Sequence, residues 1–282
     1  GMAEALELEH ENAARTSMLC HMHSFSALFL IQLGDLDSAR EHHAKARRLV
    51  EERQPWEEHK FKLDIDDWVH GHMLFARGNV AEAVAFLEAI DLPITRDHEL
   101  IAWSAFFARD QARVRHFHAL AKEAVGTQAV EFEAPELQAF SLLLGAADAV
   151  LDAAARGEPS GASVYAVAPL VSALELITRF MLVPYAFDAF VLARLVAPKV
   201  AGLALVRLAA THASARQHTR RHAQELLRAE GAPFPPPPQG EAPFAPRPGP
   251  HLAAKQVLKL AKELEVRLRA PLEAAEPTPL RA

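Results

Sequence analysis

Two stretches of the chain read almost as copies: L-I-Q-L-G-D-L-D-S-A-R, residues 30–40, and L-F-A-R-G-N-V-A-E-A-V, residues 74–84. In each, an apolar helical run ends at a glycine, Gly34 or Gly78, and a polar turn follows. Ala39 or Ala83 then stands at the fifth residue after that glycine. The pattern predicts a helix-turn-helix hairpin in which the glycine allows the backbone to reverse. A hairpin of this kind cannot bury its apolar face alone, so finding it twice predicts stacked helix pairs.

Elsewhere apolar residues recur at spacings of three and four, with no sustained alternation between turns, so the fold class is all-α. A first helix over Asn12–Leu33 places Leu19, Met22, Phe25, Phe29 and Leu33 on one face, and a second runs from Asp37 to Arg53. The next hairpin spans Asp64–Ile90, closed by Pro93, and a third pair spans His98–Val125 with a turn near Arg109 and Asp110 that lacks glycine. Pro135 opens a long helix to Ala155, and Pro169, Pro184 and Pro198 divide the apolar stretch after Val164, each expected in a first turn. Nine prolines between Pro233 and Pro250 predict an extended polyproline II segment. Beyond it Val257, Ala261, Leu264 and Leu268 form one stripe of an amphipathic helix that needs a surface to dock on.

With 282 residues, half of them apolar, the chain has ample material for a core. A net charge of -6 gives no general attraction to nucleic acid. A single cysteine, Cys20, excludes an internal disulfide and suits a reducing, cytoplasmic setting. Gly1 ahead of Met2 reads as an expression remnant, and residues 1–15 are charged rather than apolar. Between residues 162 and 210, charged residues such as Glu175, Arg179, Asp188 and Arg194 interrupt every run before the ~18 apolar residues a membrane helix needs.

The two hairpins resemble tetratricopeptide repeats, helix pairs with a period of about 34 residues. The small residue of that family's first helix falls on Ala27 and Gly71, the turn glycine on Gly34 and Gly78, and the small residues of its second helix on Ala39 and Ala83. A later alanine falls on Ala46 but is replaced by Ile90, and the two turn glycines stand 44 residues apart, farther than the family's period. The resemblance covers about residues 16–125 and implies a right-handed superhelix of antiparallel helix pairs, an α-solenoid, ending in the amphipathic helix. The expected organisation is helix pairs over 1–130, further irregular repeats over 131–231, the proline-rich segment 232–250, the C-terminal helix 251–270 and a tail 271–282. Similar irregular repeats serve as the sensing half of bacterial signalling and transcription regulators.

In that family the first helix of each pair lines a groove for a peptide. The resemblance therefore places His21, Ser24, Leu28, Trp68, His72 and Trp103 in the groove. No Lys or Asn stands there to clamp a terminal carboxylate, so the expected partner is a protein or peptide held by apolar contacts, with nucleic acid and membrane not expected. Eleven of the fifteen histidines precede Val125, with His-x-His at His21/His23, His70/His72 and His116/His118. Members of such a helical pair diverge by about 200°, so none of the three pairs makes a metal site by itself, and ligation across repeats would have to combine residues such as His21, His72 and Cys20. No cofactor motif, Walker loop or nucleophile elbow is present, and a non-enzyme is expected. One alternative is a helical ribonuclease or metal-dependent enzyme: Arg216 and His222 resemble the Arg-to-His spacing of HEPN-type ribonucleases, and the histidines would supply the metal ligands. Another is an architectural domain that forms homodimers.

Overall fold

A computed structural model describes residues 2–51, 59–90, 95–127, 134–157, 164–229 and 252–275. The proline-rich segment, Pro55 and Pro93 lie outside the described residues. Among those described there are twelve α-helices, packed in sequential pairs, and no strand. They fall into two compact units, one holding the described residues up to Asp97 and the other those from His98 onward.

In the first unit, α1 (Met2–Leu33) packs on α2 (Leu36–Glu51) and α3 (His59–Arg77), and α3 pairs with α4 (Val80–Glu88). Both glycine turns close alike. Gly34 (φ 84°) donates to the carbonyl of Ile31, and Asp35 to that of Leu30; Gly78 (φ 102°) donates to Phe75, and Asn79 to Leu74. This is the Schellman arrangement, in which a left-handed residue satisfies carbonyls that the helix end leaves open. The second helix starts at once, and the side chain of Asp35 accepts from the Ser38 N–H at 3.1 Å as an N-cap.

The third turn obeys the same geometry without glycine. Arg109 takes φ 60°, its N–H reaches the Phe106 carbonyl, and Asp110 donates to Ala105 and caps Arg113. A fourth copy occurs at Met181 (φ 55°), with Leu182 bonded to Ile177. In all four, the fifth residue after the left-handed one is fully buried: Ala39, Ala83, Val114 and Ala186. The hairpin seen twice in the sequence is thus built four times, twice at the cost of a side chain in a left-handed backbone.

The second unit comprises α5 (Thr95–Phe107, from His98), α6 (Gln111–Thr127), α7 (Ala134–Ala155), α8 (Val164–Arg179), α9 (Val183–Val196), α10 (Leu203–Thr211), α11 (Gln217–Arg228) and α12 (Ala254–Ala275). Its centre is α9, buried from Tyr185 through Ala193 and again at Leu195 and Val196, and touching α7, α8, α10, α11 and α12. A helix enclosed on all sides can be apolar all round, which is how 183–196 reads. Helix α12 lays its stripe of Val257, Ala261, Leu264 and Leu268 on α8 and α9, leaving Lys255, Lys259 and Lys262 in solvent. By length and composition α7 alone among the described helices could cross a membrane, yet over half of its apolar window is buried within the protein.

Two expectations need correcting. Helix α1 starts at Met2 rather than Asn12. Pro169 sits inside α8 and Pro198 in the turn after α9, while Pro184 does occupy a first turn. Pro169 is near enough to the start of α8 that the carbonyl it cannot pair with belongs to Tyr165, a residue 81% exposed and open to water. The α1 face that carries Leu19, Met22, Phe25, Phe29 and Leu33 points outward. Cys20, Ser24, Ala27 and Ile31 are buried instead, with Ala27 and Ile31 against Ala39, Val69, Met73 and Ala76. Small residues let the helices approach closely; Phe25 and Phe29 would hold them apart.

Candidate functional site

Helices α5, α9 and α11 place a polar network inside the second unit. Tyr185 and Asp188 lie one turn apart on α9, Glu99 comes from α5, and Arg216 is the residue immediately before α11. The Tyr185 hydroxyl donates to Glu99 Oε1, and Arg216 pairs with Glu99 Oε2 while standing 3.6 Å from Asp188 Oδ2. Its guanidinium lies 3.9 Å over the Tyr185 ring, a cation–π contact. Thr219 donates its hydroxyl to Asp188 Oδ1, and His218 Nε2 is 3.8 Å from the same oxygen.

One guanidinium thus answers two buried carboxylates. Burial pushes the Asp188 carboxyl up to about 7, against the pull of Arg216 and the Thr219 hydrogen bond. Burial and Glu99 raise Tyr185 above its ordinary range, and although burial opposes the Arg216 charge, Glu99, Tyr185 and Asp188 hold it firmly in place. The sign for stability follows from Asp188. The folded form keeps its proton to higher pH than the unfolded chain, so stability falls as pH rises from about 4 to about 7, by at most ~1.4 kcal/mol per pH unit for one group. Urea unfolding of native protein and Asp188→Asn across that window should show the native curve falling more steeply; parallel curves would count against the assignment.

The rest of α11 is also engaged. His222 stacks on Phe107 at 3.9 Å between centroids, with Nδ1 3.1 Å from Glu225 Oε2, and Arg221 donates to Glu225 Oε1 at 3.2 Å. Although burial opposes it, His222 and Arg221 hold Glu225 below its usual value; burial alone brings Arg220 down to about 10. Arg216 and His222 are engaged with separate partners inside the fold, Arg216 with Glu99 and Asp188 and His222 with Phe107 and Glu225. The clustering of Glu99, Tyr185 and Asp188 around Arg216 was missed by sequence reasoning. Its one local signal was Asp188 itself, a carboxylate amid the apolar run 183–196.

In the first unit, His21 and Leu28 on α1 and Trp68 and His72 on α3 are half-buried. Trp68 and His72 meet edge-on at 5.3 Å, and His21 Nδ1 lies 3.0 Å from the Ser17 carbonyl. Ser24 is fully buried, and Trp103, in the second unit, is 1% exposed and packed on Phe106 and Phe107, so neither offers a surface to a ligand. The His-x-His pairs diverge: His23 Nδ1 is 3.0 Å from His42 Nδ1, whereas His70 stacks on His43 and His72 turns to Trp68. Burial, then His42 and Lys45, lower the His23 pKa. Among the described residues no three His, Cys, Asp or Glu side chains are placed to share a metal ion.

What the first unit does present is an apolar stripe on α1. Met18, Met22, Phe25 and Phe29 are each more than half exposed, the largest value being 64% at Phe29, with Leu19 and Leu33 beside them. Single exposed apolar side chains are ordinary, but six on one helix are not. No family model, curated protein or solved structure matches this chain.

Proposed function

We propose that the protein is a non-enzymatic interaction module, built from tetratricopeptide-like hairpins, whose contact surface is the outer face of α1. The observation that carries this reading is the stripe from Met18 to Leu33. Exposing so much apolar surface lacks a role in the unpartnered chain, and flexible Met beside rigid Phe suits an apolar binding face. The partner's chemistry follows: an amphipathic helix with apolar residues at i, i+3 or i+4 and i+7, laid along α1. An acidic group on it would suit Arg15 at one end of the stripe, and a basic group Asp35 and Asp37 at the other; all three are exposed. The buried Arg216 network supports the same reading, since Glu99, Tyr185, Asp188 and Arg216 are engaged with one another inside the fold.

Selection of displayed amphipathic helical peptides on the full chain tests it. Peptides with that spacing should be enriched and should bind the Phe25→Glu/Phe29→Glu variant at least tenfold more weakly. Binding indifferent to those changes, or no enrichment on a chain that sediments as a monomer, would remove the stripe as the contact surface.

A further inference from the structure

The spacing of the α1 stripe identifies what covers it. Met18, Met22, Phe25 and Phe29 are separated by four, three and four residues, the a/d alternation of a coiled-coil seam. Resting on the proposal that this face is a contact surface, we infer that its occupant is the same face of a second copy, with the two α1 helices antiparallel.

In an antiparallel pair each a position meets a d position of the other helix. Applied here, Met18 faces Phe29 and Met22 faces Phe25 of the second copy, and the twofold axis repeats both contacts. Every layer then joins a thioether to an aromatic ring, a favourable contact, and the small-against-large alternation is self-complementary as a twofold interface requires. A parallel pair would instead set Phe on Phe and Met on Met.

Charge agrees with the same register. Helical side chains lean toward their N-terminus, which carries exposed Arg15 of one copy toward exposed Asp35 of the other, once at each end of the seam. The area is sufficient. The six exposed side chains offer about 600 Å² per copy, so a pair buries about 1,200 Å², the lower end of the range for specific interfaces.

The test uses the full chain. Sedimentation should give a dimer at micromolar concentration for native protein and a monomer for Phe25→Glu, with association weakened about 30-fold or more. Circular dichroism should be unchanged, because Phe25 is exposed in the single chain. Orientation is read by disulfides in a Cys20→Ser background. Met18→Cys/Phe29→Cys should give a covalent dimer, since these positions lie about 16 Å apart within one helix and cannot bridge internally. Met18→Cys alone should not cross-link. A native monomer, a dimer indifferent to Phe25→Glu, or cross-linking by Met18→Cys alone each overturns the inference. If the native chain is monomeric while selected peptides still bind the stripe, the second copy is wrong and the interaction surface stands.

Discussion

Arg216→Ala should destabilise the second unit by about 3–5 kcal/mol, because it strands two carboxylates in the interior. Glu99 and Asp188 are respectively 3% and 2% exposed, and Arg216 is the cation placed between them. The change also uncovers the Tyr185 ring beneath the guanidinium. Arg216→Lys should recover only part of the loss, since an ammonium keeps the charge but not the flat fork that pairs with Glu99 while stacking on Tyr185. Adding Glu99→Ala to Arg216→Ala should cost less than the sum of the single changes, with a coupling of about 1–3 kcal/mol. Chemical denaturation of the four proteins checks this, and strict additivity would mean that the pair does not act as a unit.

Gly71→Val should destabilise the first unit by about 1–3 kcal/mol or somewhat more. Glycine inside a helix costs about 1 kcal/mol relative to alanine, so its presence in the middle of α3 has a reason. A Cβ at Gly71 would lie 2.5 Å from Leu87 Cδ2 and 2.6 Å from Leu87 Cγ on α4. The closeness of the two helices therefore outweighs helix propensity. Trimming the obstacle with Leu87→Ala should make Gly71→Val less harmful than it is alone, although Leu87→Ala opens a cavity of its own. An unchanged melting temperature for Gly71→Val would contradict the packing at this crossing.

The hairpins were legible where their turns use glycine. Gly34 and Gly78 announce a left-handed backbone; at Arg109 and Met181 the turn was legible, from the pattern around Asp110 and from Pro184, but the left-handed backbone without glycine was not. The C-terminal stripe was legible too, because Val257, Ala261, Leu264 and Leu268 are the only apolar face that helix has to offer. On α1 periodicity revealed the face of Leu19, Met22, Phe25, Phe29 and Leu33 but not whether it packs inward. Which face packs depends on α2 and α3, whose Ala39, Val69 and Ala76 admit only small partners. The Arg216 network was illegible for a related reason: Glu99, Asp188 and Arg216 are far apart in sequence and meet only through the packing of α5, α9 and α11. Proline misled at Pro169, since a ring near a helix start is tolerated if the carbonyl it deprives can reach water.

The docking of α12 bears on how the chain is made. The surface it covers on α8 and α9 leaves the ribosome long before Val257 does, and the hairpins before it close by local contacts that form early. Until synthesis reaches Leu268, the nascent chain carries a naked apolar strip beside an already folded neighbourhood, the kind of transient surface that invites aggregation or chaperone capture. The last helix therefore completes folding as well as the core, and a ribosome stalled in the proline-rich segment would hold the chain in its most vulnerable form.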